Sequence, residues 1–150
     1  MSRFVDLFKS YNAQVRGLSI APLRNQPAFT FDRLGHKVFL CRPQQIENKL
    51  RELELAWVGD LQKVENKHQL CWIVAKFYYD FLQIHPFSVG NERTALKFLH
   101  EQLTSSERVR ALGYRICEKT YFEKIPFAGD PDQYIQRLAS LLGRWLVPIQ

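Results

Sequence analysis

Three observations predict an all-α fold carrying one small β-hairpin. Apolar residues recur at helical spacing over most of the chain, whereas strict alternation is confined to residues 29–40. Of the 150 residues, 46% are hydrophobic and 13% aromatic, which is ample for a buried core in a single domain spanning 1–150. No internal repeat, low-complexity tract or linker divides the chain.

Arg3 to Gly17 reads as a helix ending at its glycine, and Leu18 to Thr30, with Pro22 and Pro27, as an irregular connection. From Phe29 to Leu40 the pattern becomes a hairpin: Phe29 and Phe31 alternate with polar positions, Leu34-Gly35-His36 makes the turn, and Val38-Phe39-Leu40 returns. A hairpin this short needs helices or a partner strand to hold it. Its edge could accept an extended peptide main chain to main chain.

Pro43 suits a first helical position, and Ile46, Leu50, Leu53, Trp57 and Leu61 then give one apolar stripe. Leu70, Ile73, Val74, Phe77, Tyr78 and Phe81 repeat the pattern among further apolar residues, which predicts a helix through the centre of the bundle. Helical spacing resumes from Thr94 to Leu103. Thr104-x-x-Glu107 matches a capping box and predicts another helix bearing Val109, Leu112 and Ile116. Tyr121 to Gly129 reads as a loop, after which Asp130-Pro131 opens a last helix with Ile135, Leu138, Leu141, Leu142 and Trp145 on its apolar side.

The net charge of +6 selects no partner by itself, because Lys and Arg are spread along the chain. Arg108, Arg110 and Arg115 are expected on a solvated helix face beside Glu107, so a nucleic-acid surface is not expected. No segment approaches the ~18 apolar residues of a membrane span, and charge interrupts every apolar stretch of the N-terminus. A soluble, cytoplasmic protein is expected. Cys41, Cys71 and Cys117 are odd in number and lack paired metal-ligand spacing, which suits a reducing compartment. Cys71 is expected as a small buried hydrophobe.

Chemistry concentrates in His85-Pro86-Phe87-Ser88-Val89-Gly90-Asn91-Glu92-Arg93-Thr94, at the joint between two predicted helices. A Gly90-Asn91 turn can point successive backbone N–H groups outward, and the following helix start adds its orphan donors and positive dipole end. Arg93, in the first turn, carries a fork of donors suited to phosphate, and Asn91 a neutral amide. His85 stands at the mouth of this loop, able to take a proton near neutral pH.

This run resembles the signature loop of the Fic/Doc (Fido) family, H-x-F-x-D/E-G/A-N-G/K-R. The resemblance extends over about Arg33 to Leu103. Tyr78 to Ile84 leads into His85 as the family's aromatic-rich central helix leads into its motif, and Arg33 to Leu40 followed by Pro43 and an amphipathic helix resembles the family's flap hairpin and next helix. The resemblance implies a compact helical bundle with a hairpin flap that transfers part of a nucleotide, most often AMP from ATP, to a Ser, Thr or Tyr hydroxyl of a target protein. His85 would then be the general base and Phe87 the apolar anchor of the loop. Gly90, Asn91, Glu92 and Arg93 would bind the nucleotide. The flap, through Arg33, His36, Lys37 and Val38, would hold the target. A cytosolic setting follows, or delivery into a host cytosol for an effector.

Three positions depart from the pattern. Val89 stands where the family places the carboxylate that holds magnesium, and valine cannot ligate a hard cation, so no metal ligand is assigned and Mg2+ would need another carboxylate or the phosphates alone. Glu92 puts a negative charge on the anion-binding turn; at ~4 Å and an effective dielectric near ~20 this is worth ~4 kcal/mol against a phosphate. Leu96 occupies the second arginine position of AMPylating members and brings the run closer to the Doc branch, whose members phosphorylate their targets. Two alternatives to AMP transfer therefore stand: a catalytically impaired binding module that keeps flap and groove, and a Doc-like kinase toxin. The S/T-x-x-x-E-G/N inhibitory helix of some members has no counterpart here. A separate antitoxin-like inhibitor is compatible with the resemblance.

Overall fold

The computed structural model describes residues 3–32, 34–117 and 130–149. Arg33 of the expected flap contacts and the expected loop Tyr121 to Gly129 lie outside the described residues. The elements run α1 (Arg3–Arg16), β1 (Phe29–Phe31), β2 (Lys37–Phe39), a 3-10 turn (Pro43–Gln45), α2 (Ile46–Lys63), α3 (Lys67–Ile84), α4 (Asn91–Ser105), α5 (Glu107–Ala111), β3 (Tyr114–Ile116), α6 (Pro131–Leu142) and β4 (Leu146–Pro148). The mostly helical bundle with a hairpin is thus as the sequence predicts. No described helix is long and apolar enough to cross a membrane.

The apolar density of α3 puts it at the centre, packed against α2, α4 and α6, while α1 lies across α4 and α2. Phe77 stacks on Phe98 of α4 with centroids 4.9 Å apart, Trp57 of α2 tilts onto Phe77 at 5.1 Å, and Phe8 of α1 meets Phe81 edge-on at 5.0 Å. Four helices therefore share one aromatic core, which fixes where α3 ends and α4 begins. Polar contacts reinforce the helix ends. Glu54 of α2 accepts the Phe4 N–H at 2.7 Å, placing a carboxylate on the positive end of α1. Asn66 caps α3 by accepting from the Gln69 amide at 2.9 Å. Cys71 is buried, and none of the three cysteines is in a disulfide.

The expected hairpin pairs antiparallel in the register Phe29↔Phe39, Thr30↔Val38, Phe31↔Lys37. Asp32 closes its turn by accepting from the Leu34 and His36 amides at 2.9 and 2.8 Å.

The region after α4 differs from the sequence reading. Thr104 lies inside α4, and the cap of the next helix is Ser106, whose hydroxyl accepts from the Val109 amide at 3.2 Å. That helix ends at Ala111 because Gly113 turns left-handed at φ 87°. Arg115 and Ile116 consequently lie on β3, which pairs antiparallel with β4 (Ile116↔Leu146, Tyr114↔Pro148). Arg108 is not merely solvated: its Nε donates to the Val64 carbonyl at 2.7 Å, at the α2 to α3 joint. Asp130 and Pro131 do open α6, but Trp145 lies beyond its end.

Candidate active site

The loop between α3 and α4 is shaped residue by residue. α3 stops at Ile84 because His85 adopts a left-handed conformation (φ 50°, ψ 62°) and Pro86 cannot continue the helix. Phe87 is fully buried and seats the loop in the core. Asn91, also buried, grips the backbone of Phe87 at both polar groups: its Oδ1 accepts the Phe87 N–H at 3.0 Å and its Nδ2 donates to the Phe87 carbonyl at 2.8 Å. Gly90 caps α4 in the left-handed region at φ 79°, where a Cβ would lie 3.1 Å from Asn12 Nδ2. The first intrahelical bond of α4 runs from the Thr94 amide to the Gly90 carbonyl at 3.0 Å, so the amides of Asn91, Glu92 and Arg93 precede it as helix-start donors.

A cavity of about 470 Å³ opens beside this loop. His85 and the 89–93 turn form one side, Tyr79, Leu82 and Gln83 of α3 with Tyr134 of α6 another, and Phe29, Thr30 and Leu40 of the hairpin its rim. Burial, and then the positive charge of Arg24, hold the His85 imidazole below its ordinary pKa. Tyr134 is pushed above its ordinary value by burial, then by Glu92 and Tyr79.

Residues 6–103 match the Fic/DOC family model. The chain belongs to the Fic/DOC family. No curated protein matches it. Among solved structures it is similar to the N-terminal Fic domain of a VirB-translocated Bep effector protein from Bartonella quintana, at 19% identity and a TM-score of 0.54 over 85% of this chain. The chain spans 62% of the length of that Fic structure, and the likeness concerns fold.

His85, Gly90, Asn91, Glu92 and Arg93, the residues to which the resemblance gave catalysis and nucleotide binding, all border the same cavity, and Phe87 is buried. Asn91 has a local task that its place in the motif did not announce, since both ends of its amide are engaged by Phe87. Glu92 and Arg93 are exposed side by side at the start of α4. On the flap, the residues at the cavity rim are Phe29, Thr30 and Leu40 rather than His36, Lys37 and Val38. His36 Nδ1 lies 3.3 Å from Asp32 Oδ2, and Lys37 Nζ lies 3.9 Å above the Phe29 ring.

Among the described residues no preformed magnesium cage occurs: Val89 is more than half exposed and offers no oxygen from its side chain, Glu92 is the only described carboxylate bordering the cavity, and no group of three metal-ligating side chains is present.

Two residues that the motif does not contain hold the loop. Asn12 of α1, wholly buried, donates from Nδ2 to the Val89 carbonyl at 2.9 Å and to Thr94 Oγ1 at 3.1 Å. Its signal was available, because Phe4, Phe8 and Asn12 follow at steps of four and put a polar side chain on the buried stripe. Arg24 contacts the carbonyl groups at the other end of the loop, and its irregular proline-flanked segment carries no periodicity that could have marked it.

Proposed function

We propose that this chain is a Fic-type transferase that moves a nucleotide-derived phosphoryl group, AMP from ATP, onto a Ser, Thr or Tyr hydroxyl of a target protein held along the flap. One observation carries the reading: His85 borders the same cavity as the free-amide start of α4, so a proton acceptor and an anion cradle face a common space. Burial and then Arg24 favour the neutral His85 imidazole, the form that accepts the hydroxyl proton as that oxygen attacks the α-phosphorus. The bond from that phosphorus to the β-phosphate oxygen breaks and pyrophosphate leaves with the electron pair. The amides at the start of α4 and the Arg93 guanidinium oppose the developing charge. Tyr79 and Tyr134, with ring centroids 5.3 Å apart, offer apolar faces to a base.

Val89 and Glu92 favour a second reading, a binding module that keeps flap and cavity without turnover. Calorimetric titration with ATP, with and without magnesium, followed by a labelled-ATP transfer assay on wild type and His85→Ala, separates the two. Transfer by wild type and none by folded His85→Ala supports the enzyme. Binding of a protein partner without nucleotide binding supports the module.

A further inference from the structure

Arg24 sits in the segment joining α1 to the flap and is only 8% exposed. Its guanidinium meets four main-chain carbonyl groups. Nε donates to His85, Nη1 to Gln26 at 2.9 Å, and Nη2 to both Cys41 and Ile84, the latter at 3.0 Å. Its own amide donates to the Pro86 carbonyl at 2.8 Å. No carboxylate pairs with Arg24 among the described residues. The partial negative charge at the C-terminus of α3, where the Ile84 and His85 carbonyls accept from Arg24, takes the place of a counter-ion.

These acceptors belong to different parts of the site. Ile84 and His85 close α3, while Cys41 lies just beyond the returning flap strand and Gln26 before the outgoing one. Only a planar fork with several donors spans them; the single ammonium of a lysine radiates three donors from one point.

We propose that Arg24 is the positioning residue of this site, fixing His85 and the base of the flap relative to each other. A target hydroxyl presented by the flap and the imidazole that would receive its proton then share one rigid reference. The left-handed backbone of His85, unusual for a residue with a side chain, is held by the same grip. The charge of Arg24 also acts on the imidazole, whose cavity is shared by Tyr79 of α3, Glu92 and Arg93 at the start of α4, and Tyr134 of α6, while Cys41 neighbours the guanidinium itself. The kinetic consequence rests on the transferase reading, but the physical one does not.

The test compares Arg24→Gln and Arg24→Lys, with Arg108→Gln as a control that loses a single arginine-carbonyl bond elsewhere. The His85 imidazole is titrated by NMR, and exchange of the Cys41 amide, bonded to the Gln83 carbonyl, is followed in the same samples. In Arg24→Gln the His85 midpoint should rise toward its ordinary value and Cys41 should exchange at least about tenfold faster. Arg24→Lys should keep the midpoint low, since charge remains, yet show the faster exchange, since the fork is gone. Arg108→Gln should move neither. In the transfer assay both Arg24 variants should lose about a hundredfold in kcat. Folded variants with wild-type midpoint and exchange would overturn the proposal, as would a lysine variant that fails to fold, which would make Arg24 a residue of global stability. If wild type transfers nothing, the transferase reading fails while titration and exchange still decide the role of Arg24.

Discussion

The side-chain amide of Asn91 satisfies both the N–H and the C=O of Phe87, four residues earlier, and so ties the start of α4 to the apolar anchor of the loop. A motif residue expected to face a ligand is thereby part of the loop's own skeleton. Removing it leaves two buried backbone groups without partners. Asn91→Ala should cost about 2–4 kcal/mol of stability, read from the urea midpoint at constant m-value. Asn91→Asp should be no milder at neutral pH, because a carboxylate can accept from the Phe87 amide but cannot donate to its carbonyl. A variant within about 0.5 kcal/mol of wild type would mean that the loop closes without this bond pair.

Gly90 and Asn12 should be coupled. Gly90→Ala pays for positive φ and places a methyl 3.1 Å from Asn12 Nδ2, so a cost of about 2 kcal/mol is expected. In an Asn12→Ala background the steric part disappears and about 1 kcal/mol should remain. A double-mutant cycle from chemical denaturation gives the difference directly, and simple additivity would place the two residues out of contact.

Acid stability should carry a His85 component. Its folded pKa lies below the ordinary value, so the unfolded chain binds a proton more readily than the native one. The sign follows: His85 imposes no loss above the unfolded pKa, near ~6.5, and native stability falls as pH drops from there through the lower folded value. Asp80, raised by burial, works in the opposite sense in the carboxylate range, but it is common to both proteins compared. The thermal midpoint of His85→Gln should therefore fall less than that of wild type between about pH 7 and pH 5. Parallel profiles would assign acid sensitivity to other groups.

How much of this was legible follows from the reach of each contact. α2, α3 and the opening of α6 could be read because their signals are local: a repeat of about 3.6 residues or a cap and proline side by side. The loop was legible for the same reason, being contiguous from His85 to Arg93. The β3 to β4 hairpin was not, since residues 114–116 pair with residues 146–148 and three-residue strands have no period of their own. Arg24 reaches the His85 carbonyl across 61 positions, and Asn12 reaches Val89 across 77. One sequence shows the donors but not what they meet.

The sharpest discriminator between turnover and mere binding lies at Val89 and Glu92. Both side chains are exposed at the cavity, so replacing them disturbs little packing. Val89→Asp would supply the missing oxygen ligand, and Glu92→Gly would remove a negative charge from the cradle. The full Coulomb value of ~4 kcal/mol is an upper bound for an exposed carboxylate, and solvent screening reduces it to about 1 kcal/mol. With magnesium neutralising the new Asp, the double variant should therefore bind ATP roughly fivefold or more tightly by calorimetry, whereas without magnesium the added carboxylate offsets the charge removed at Glu92 and affinity should stay near wild type. A gain accompanied by new transfer activity would identify the natural chain as a binding module disabled at these two positions. A wild type that already binds and transfers, with nothing gained from the double variant, would mean that this site has dispensed with the metal carboxylate and works through His85, Arg93 and the helix-start amides.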